Sequence, residues 1–309
     1  MAPPHSGVSA ELQRVEQVVR GLVGATLETI SIGSVDIRDA GFLAANISKL
    51  SPLISNLIER RVVAALEAAE PPNDWQWARQ DPRFPDAALL DRDGRMLDAG
   101  YEVKAWYALS TEITSRFRES RSRLLGRDIR LLLVAWMMDH VVYGQPIILD
   151  VIAVDALSLA EARDHHYHDP PRYLIVEPED THDRTANLQQ SVVSGYRLQA
   201  DNERMAESAR MMAAGMGAED AIADPYSPEA EQLVARLLNT YSYRLDTNFA
   251  KIDRIDHPAV EGFKADVLAT AFHNRDVAEW GQALRRLASD SDCEAALDMI
   301  RSEVYDSGG

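Results

Sequence analysis

Hydrophobic residues follow helical spacing at both ends of the chain and form short strand-like runs in its middle. Residues 9–24 carry apolar side chains at helical intervals behind a capping Ser9. A second helix is predicted from Ser51 to the Pro71-Pro72 break, with Pro52 suited to its first turn. β-like runs then follow at about 83–91, 99–107, 129–137, 147–154 and 172–177, with a shorter one at 75–79.

The pattern returns to helix from about residue 184. Three stretches rich in Ala, Leu, Met, Arg and Glu contain few helix breakers; they cover residues 199–214, 228–253 and 276–305. The sequence therefore predicts an α/β (α+β) protein with a mixed central sheet of about five strands between helical regions. In chain order we expect an N-terminal helical region at 1–70, a strand-rich core at 71–180 and a C-terminal helical region at 181–309.

Composition narrows the class of protein. The 309 residues are 46% hydrophobic and 26% charged, as in an ordinary globular chain. The single cysteine, Cys293, excludes an internal disulfide framework and a multi-cysteine zinc site. The longest apolar runs are far shorter than the ~20 residues of a membrane span, and no signal peptide is recognisable. We therefore expect a cytoplasmic protein with no membrane partner.

Candidate chemistry lies in the two predicted strands that follow the second helix. Pro85-Asp86 is followed sixteen residues later by Glu102-Val103-Lys104. Because side chains alternate along a strand, Glu102 and Lys104 share one face while Val103 points into the core. If the two strands pair, Asp86 comes close to Glu102. Two carboxylates and an amine then share one sheet edge, which suggests a hard-cation site for Mg²⁺-dependent phosphodiester hydrolysis.

Lysine is scarce in this chain, which makes Lys104 more informative. Only four of the 32 basic residues are lysines. Arginine is thus used wherever a general cation is sufficient, and it can neither lose a proton readily nor act as a compact charge. Lys104 could serve as a general base or as an electrostatic orienting group. An edge strand with a surface Glu and Lys is the structural alternative.

The order helix, strand with Pro-Asp, strand with Glu-Val-Lys, helix and further strands resembles the PD-(D/E)XK nuclease superfamily, and within it the type II restriction endonucleases. The resemblance covers roughly residues 52–177. It implies that Asp86 and Glu102 bind Mg²⁺ and that Lys104 positions or activates the attacking water. It further implies the Val103 carbonyl as a metal ligand, and one acid of the preceding helix, Glu59 or Glu67, of which Glu59 is taken as the candidate ligand. A solvated helix face is the alternative for Glu59, because two arginines follow it.

The chain is acidic, with a net charge of −17, yet it contains a basic segment immediately after the predicted catalytic strand. Between Lys104 and Arg130, seven basic residues stand against three acidic ones. Local potential decides where a phosphate backbone docks. We therefore expect a helix at about 111–125 that presents four arginines to DNA: Arg116, Arg118, Arg121 and Arg123. Pairing with Glu112 and Glu119 is the alternative role for two of them.

Other motifs are weaker. The histidines between Asp164 and Asp169 invite a transition-metal site, but they lack the spacing of a zinc pair and favour a polar loop. No nucleotide-binding loop is recognisable, so no nucleotide cofactor is expected. The predicted function is a Mg²⁺-dependent, sequence-specific endonuclease acting on double-stranded DNA as a homodimer. The alternatives are a repair or recombination nuclease of the same superfamily and a non-catalytic acidic helical interaction protein.

Overall fold

The structure of the protein is a computed structural model. It describes residues 4–33, 42–43, 46–80, 83–110, 112–166, 174–178, 196–200, 202–214, 228–245, 250–288, 298, 302 and 304. Contacts between backbone positions divide the chain into two compact units. Unit 1 comprises residues 1–113, 128–154 and 258–309, and unit 2 comprises residues 114–127 and 155–257. The three consecutive regions expected from the sequence, 1–70, 71–180 and 181–309, stay a prediction. Each compact unit is instead assembled from segments that alternate with those of the other unit along the chain.

Eight α-helices and ten strands are described, in addition to short 3-10 turns such as Ile47–Leu50. The helices are α1 Pro4–Arg20, α2 Ser51–Glu67, α3 Arg121–Leu124, α4 Ala156–His166, α5 Glu203–Ala214, α6 Pro228–Thr240, α7 Pro258–Leu268 and α8 Val277–Ala288. The strands are β1 Gln76–Arg79, β2 Ala87–Leu90, β3 Met96–Tyr107, β4 Asp128–His140, β5 Tyr143–Asp155, β6 Leu174–Pro178, β7 Tyr196–Ala200, β8 Ser242–Leu245, β9 Ala271–Phe272 and β10 Arg275–Asp276.

Unit 1 is built on a five-stranded sheet with the order β1-β2-β3-β4-β5. β1 and β3 both pair antiparallel with β2, whereas β3 and β4 are parallel. A parallel neighbour requires a long crossover, which residues 108–127 provide. β4 is buried without interruption from Leu131 to Met138, as expected for a strand with both faces covered. The predicted α+β fold, with a mixed five-stranded central sheet and flanking helices, is confirmed.

Helix α2 covers the part of the sheet that carries the candidate chemistry. Pro52 lies in its first turn, as predicted. Its buried side chains are Ile54, Ile58, Val62, Val63 and Leu66, which form one stripe along the helix. This stripe packs against β1 and β3. The helix therefore faces the strands on which Asp86, Glu102 and Lys104 were predicted to lie.

A glycine permits the close approach of the chain before β2 to strand β3. Gly100 pairs with Ala88 across the two strands. A Cβ atom at position 100 would lie 2.5 Å from the Ala87 carbonyl oxygen and 2.5 Å from Pro85 Cγ. A glycine inside a strand often marks such an approach of another backbone. Gly100 thus allows the Pro85-Asp86 dipeptide to sit against β3.

Unit 2 contains a three-stranded sheet in which β6 and β7 are parallel and β7 and β8 antiparallel. Part of its core is formed by Leu198, Ala209, Leu237, Tyr241, Tyr243 and Ala250. The predicted helix over 228–253 is wrong beyond Thr240, where the chain turns into β8. Tyr241 and Tyr243 are both buried, which is the alternation of a strand. Tertiary pairing with β7 overrides the helical composition of this stretch.

The predicted helix at about 111–125 is also wrong for most of its length. Only α3 is helical, and the residues before it are extended. The Phe117 amide donates to the Ala250 carbonyl at 2.8 Å, and the Ile252 amide donates to the Ser115 carbonyl at 3.0 Å. The chain here pairs with residues 250–252 instead of with itself. β-Branched Ile113 and Thr114 weaken a helix at its start, so this pairing prevails.

Among the helices described, none is both long enough and apolar enough to cross a membrane.

Candidate active site

The three residues singled out from the sequence meet at one place on the unit 1 sheet. Asp86 directly precedes β2, and Glu102 and Lys104 lie on β3. Antiparallel pairing of Ala87 with Tyr101 places Asp86 beside Glu102. Val103 is buried while Glu102 and Lys104 are only partly buried, which is the alternation that the sequence predicted. The structure therefore brings both carboxylates and the amine together.

The Lys104 ammonium lies between the two carboxylates. Its Nζ donates a hydrogen bond to Glu102 Oε1 and lies 3.8 Å from Asp86 Oδ2. It also donates to the Val103 carbonyl at 3.2 Å. The side chains remain partly accessible, with 22% of Lys104, 15% of Asp86 and 14% of Glu102 exposed. The cluster is thus a set of oxygen donors around one partly accessible cation. It lies on the central strand of the sheet and not, as the sequence had suggested, at a sheet edge, because β3 pairs with β2 on one side and with β4 on the other.

Opposing effects act on the pKa of Lys104. Burial, the largest single effect, disfavours the charged ammonium and lowers the pKa. The negative charges of Glu102, Asp86 and Glu59, together with the hydrogen bond to Glu102, raise the pKa and outweigh burial. The net pKa is raised above the ordinary lysine value of 10.5. Lys104 is therefore an ammonium at neutral pH while both carboxylates face it.

Backbone hydrogen bonds hold Asp86 in position. Its Oδ2 accepts a hydrogen bond of 2.7 Å from the Val103 amide, and its carbonyl accepts one of 2.9 Å from the Gln80 amide. The first bond links the carboxylate to the middle of the Glu-Val-Lys tripeptide, and the second links it to the chain after β1. A charge-assisted bond of this kind is stronger than a neutral one. Asp86 is thereby preorganised on two neighbouring strands.

Of the two acids on α2, Glu59 acts on the site through its charge. This charge is among those that raise the pKa of Lys104, and Glu59 Oε1 lies 3.5 Å from a guanidinium nitrogen of Arg79. Glu67 instead accepts a hydrogen bond of 3.2 Å from the Arg79 backbone amide and is exposed. The role of Glu59 as a metal ligand stays a prediction.

Sequence reasoning missed Arg79 and underrated the position of Glu59. Arg79 pairs with Ala87, the residue after Asp86, across β1 and β2, and its half-exposed guanidinium forms an ion pair with Glu59. Glu59 was read as part of a solvated face because two arginines follow it. Its helical neighbours at i+3, i+4 and i+7 are nevertheless buried residues of α2: Val62, Val63 and Leu66. That spacing was the available signal that Glu59 lies on the sheet-facing side.

The oxygen donors suit a hard cation. Mg²⁺ is usually held by one or two carboxylates, with water and substrate phosphates completing its shell. Asp86, Glu102 and the Val103 carbonyl supply donors of that kind. Within the ranges that the structure describes, no three or more His, Cys, Asp or Glu side chains are grouped to hold a metal ion. Asp86, Glu102 and Glu59 therefore do not form a three-acid site in this arrangement.

The four arginines predicted to face DNA belong to unit 2. Arg116 forms an isolated bridge with Lys251. Arg121 Nε donates to Glu161 Oε1 at 2.8 Å, and Arg123 forms an ion pair of 3.1 Å with Glu119. The alternative role in an ion pair is therefore realised for Arg123, and Arg121 also has an acidic partner. Binding of DNA by these residues and by Arg118 stays a prediction.

The histidine-containing stretch after residue 163 is only partly described. Asp164 and His165 lie in α4, so the start of the expected polar loop is helical. His168 lies outside the described residues. Asp164 is engaged with Arg163 and Tyr243. The described residues of this stretch add no group of three or more metal-ligating side chains.

Comparison of the chain with protein-family models, with curated proteins and with solved structures gives no match. The case for a function therefore depends on the residues and their geometry.

Proposed function

We propose that this protein is a Mg²⁺-dependent endonuclease that cleaves double-stranded DNA at specific sites, as type II restriction enzymes do. The observation that carries the proposal is the grouping of Asp86, Glu102 and Lys104 around the Val103 peptide, with all three side chains partly exposed. An acidic cluster alone is common on protein surfaces. Here a backbone amide holds one carboxylate while the ammonium contacts both, which supports a built site.

Each residue has a distinct task in this proposal. Asp86 and Glu102 bind the metal ion with their carboxylate oxygens. The Val103 carbonyl, now an acceptor for Lys104 at 3.2 Å, is the third donor. Mg²⁺, when bound, neutralises charge on the scissile phosphate and stabilises the leaving oxyanion.

Lys104 acts as an ammonium that orients the attacking water and the phosphate. The raised pKa means that Lys104 is protonated before a metal ion binds to the carboxylates. A compact ammonium suits a narrow site between two carboxylates better than a planar guanidinium. The proton released by water then passes to solvent or to a phosphate oxygen.

The remaining parts of the proposal concern the oligomeric state and the contacts with DNA. Two strands of a symmetric site call for two active sites related by a two-fold axis, so we propose a homodimer. The arginines of residues 116–123 are the proposed contacts to the phosphate backbone and to base edges. Such contacts predict an affinity that falls steeply with salt concentration.

The test is cleavage of unmethylated plasmid and phage DNA by the full chain with Mg²⁺. Discrete fragments are expected, and random nicking would indicate a repair nuclease instead. Asp86→Asn and Glu102→Gln each remove one carboxylate charge with little change in shape, so we expect both to abolish cleavage. Asp98→Asn is the matched control, since Asp98 is an exposed acid on the same strand. Its backbone φ of 51° is tolerated by asparagine.

The outcomes separate the alternatives. Equal cleavage by the wild type and by Asp86→Asn would remove the site assignment. Absence of cleavage on every DNA substrate would favour the acidic interaction protein. Calorimetric titration with Mg²⁺ gives an independent measurement, since binding lost in Asp86→Asn but kept in Asp98→Asn establishes the metal site without any substrate. Size-exclusion chromatography with light scattering tests the homodimer.

A further inference from the structure

Two turns of unit 1 bring two histidines together at a second location. His140 ends β4 at the tight turn into β5, and His273 lies in the turn between β9 and β10. Their ring centroids are 6.1 Å apart. Both turns contain residues with a left-handed backbone, Val141 in the first and His273 itself in the second. Neither histidine belongs to the carboxylate cluster described above, and neither was singled out by the sequence.

A hydrogen bond determines the tautomer of His140. Its Nδ1 lies 2.7 Å from Asp139 Oδ1. The same oxygen accepts a hydrogen bond of 2.9 Å from the Gln145 amide, as expected of a carboxylate that only accepts. Nδ1 therefore carries the hydrogen. In the neutral ring this leaves the lone pair on Nε2.

A second hydrogen bond determines the tautomer of His273. Its Nε2 lies 2.7 Å from the Asp139 carbonyl oxygen, which can only accept. Nε2 therefore donates, and in the neutral ring Nδ1 carries the lone pair. One residue, Asp139, thus binds a ring N–H of both histidines, one through its carboxylate and the other through its backbone. Carboxylates and carbonyls in this position are typical outer partners of metal-binding histidines.

Ring contacts and a glycine restrict both side chains further. His140 stacks on Tyr143 with centroids 4.7 Å apart and planes at 22°, and His273 packs edge-on against Phe272 at 4.6 Å. Gly144 lies directly under the Asp139 carboxylate. A Cβ atom there would be 1.7 Å from Asp139 Oδ1 and 2.6 Å from His140 Nδ1. The arrangement therefore requires glycine at this position, which keeps the acceptor and the ring in place.

We propose that His140 and His273 form a second metal site, which takes a borderline divalent ion such as Zn²⁺ or Cu²⁺ through imidazole nitrogen. The site has two protein ligands and leaves the other positions to water or an external ligand. A site with two protein ligands is compatible with the finding that the described ranges contain no metal-binding group of three or more side chains. Imidazole favours Cu²⁺ and Zn²⁺ over Mg²⁺, so the two sites select different ions.

The spacing of the rings fits a shared ion. A metal bound at about 2.0–2.1 Å from a ring nitrogen lies roughly 3.2 Å from the ring centroid. Two rings that share it are therefore at most roughly 6.4 Å apart. The observed 6.1 Å is within this limit. A bound ion joins the β4–β5 turn to the β9–β10 turn. It is therefore expected to stabilise unit 1 against unfolding.

The test is calorimetric titration of the full chain with Zn²⁺ in the presence of excess Mg²⁺, which occupies oxygen sites. We expect one equivalent to bind and the melting temperature to rise. His140→Gln and His273→Asn each remove one ligand, and asparagine tolerates the φ of 48° at position 273. Asp139→Asn keeps both histidines but weakens their outer partner, so a loss of about 10–100-fold in affinity is expected. His257→Gln, which changes a histidine of unit 2, is the control.

A spectroscopic measurement complements the variants. Electron paramagnetic resonance of the wild type with one equivalent of Cu²⁺ should show coupling to two imidazole nitrogens, and coupling to one nitrogen in either histidine variant. Wild-type protein that binds no stoichiometric Zn²⁺, or a Cu²⁺ spectrum with oxygen donors alone, overturns the proposal. Unchanged Zn²⁺ affinity in the variant that carries both His140→Gln and His273→Asn also overturns the proposal. The wild-type spectrum decides the matter even if a variant fails to fold.

Discussion

The two units each contain an ionic cluster, and the clusters differ in exposure and in charge balance. In unit 1, Lys104 contacts Asp86 and Glu102 and keeps 22% of its side chain exposed. In unit 2, Arg163 pairs with Asp164 at 2.8 Å and has no exposed side-chain surface. A buried pair needs full compensation of its charges, whereas a partly exposed group of acids can accept a further cation.

The unit 2 cluster is compensated on every side. Arg163 donates to the Phe117 carbonyl at 2.9 Å, and its guanidinium lies 5.9 Å from the ring centroids of Phe117 and Tyr243. Tyr243 also donates a hydrogen bond to Asp164. Burial nevertheless raises the pKa of Asp164, against the lowering effect of Arg163. One cation and one acid are thus enclosed by aromatic rings, which is the arrangement of a structural element.

The unit 1 cluster gathers several carboxylates around a partly exposed cation. Asp86, Glu102 and Glu59 all act on Lys104, and Arg79 forms an ion pair with Glu59. Lys104 is in contact with two of these carboxylates and stays accessible to solvent. Solvent access to a cation that is shared by carboxylates, rather than the presence of ion pairs, distinguishes this candidate site from the structural cluster of unit 2.

The largest effect is expected from Lys104→Met. Removal of the orienting ammonium should reduce Mg²⁺-dependent DNA cleavage on the order of 10²–10³-fold. Lys104→Arg should be similarly impaired, because a guanidinium does not replace a compact ammonium. Initial rates of plasmid cleavage measure the loss. Lys264→Met is the matched control, since Lys264 has 21% of its side chain exposed and is also in unit 1. Full activity in Lys104→Met would contradict the assignment.

Arg163→Met should affect stability instead. It leaves the largely buried Asp164 with the Tyr243 hydroxyl but without its guanidinium partner, and loss of one partner of a buried pair typically costs about 3–5 kcal/mol in the free energy of unfolding. Urea denaturation followed by circular dichroism measures the loss. Arg210→Met is the control, because Arg210 forms exposed pairs with Glu203 and Glu207 in the same unit. An unchanged free energy of unfolding in Arg163→Met would show that the ion pair stabilises the fold no more than the methionine that replaces the arginine.

A smaller effect is expected from Arg79→Gln. Loss of the guanidinium beside Glu59 makes the cluster more negative, so the Mg²⁺ midpoint should fall by about 2–5-fold, within the range of a partly exposed pair. Glu59→Gln should raise the midpoint. Titration of cleavage rate against Mg²⁺ concentration measures both shifts. Arg92→Gln, an exposed arginine of the β2–β3 turn, should leave the midpoint unchanged. If all variants have the same Mg²⁺ midpoint, Glu59 does not influence metal binding at the site.

The smallest effect concerns alkaline pH. The folded-state pKa of Lys104 is raised above the ordinary 10.5, so its proton is held more tightly in the folded than in the unfolded chain. The resulting stabilisation is present below pH 10.5 and is lost as pH rises through the raised pKa. The stability difference between the wild type and Lys104→Met should therefore shrink above that pH. A constant difference from neutral to strongly alkaline pH would contradict the raised pKa.

Much of the secondary structure of unit 1 could be predicted from the local pattern of hydrophobic and polar residues. The Pro52 start of α2, the strands β1 to β5 and the shared face of Glu102 and Lys104 all reflect periodicity along one segment. The predicted run at 172–177 corresponds instead to β6, which belongs to the three-stranded sheet of unit 2. The predictions of secondary structure were wrong where pairing with a distant segment outweighs the local preference for a helix. Residues 115–117 pair with residues 250–252, and the chain after Thr240 joins β7 through β8. Composition favoured a helix in both places, and no local signal reports the partner.

The sequence by itself determined which chemical groups are available: a lone lysine in an acidic strand, a preceding Pro-Asp and a helix with an acid in its buried stripe. Only the tertiary structure decided their arrangement. It brought Asp86 and Lys104 to 3.8 Å, paired Arg79 with Glu59 and brought the rings of His140 and His273 to 6.1 Å. The physical reason is that side-chain direction follows from local periodicity, whereas the meeting of two segments depends on strand pairing and packing across the whole fold.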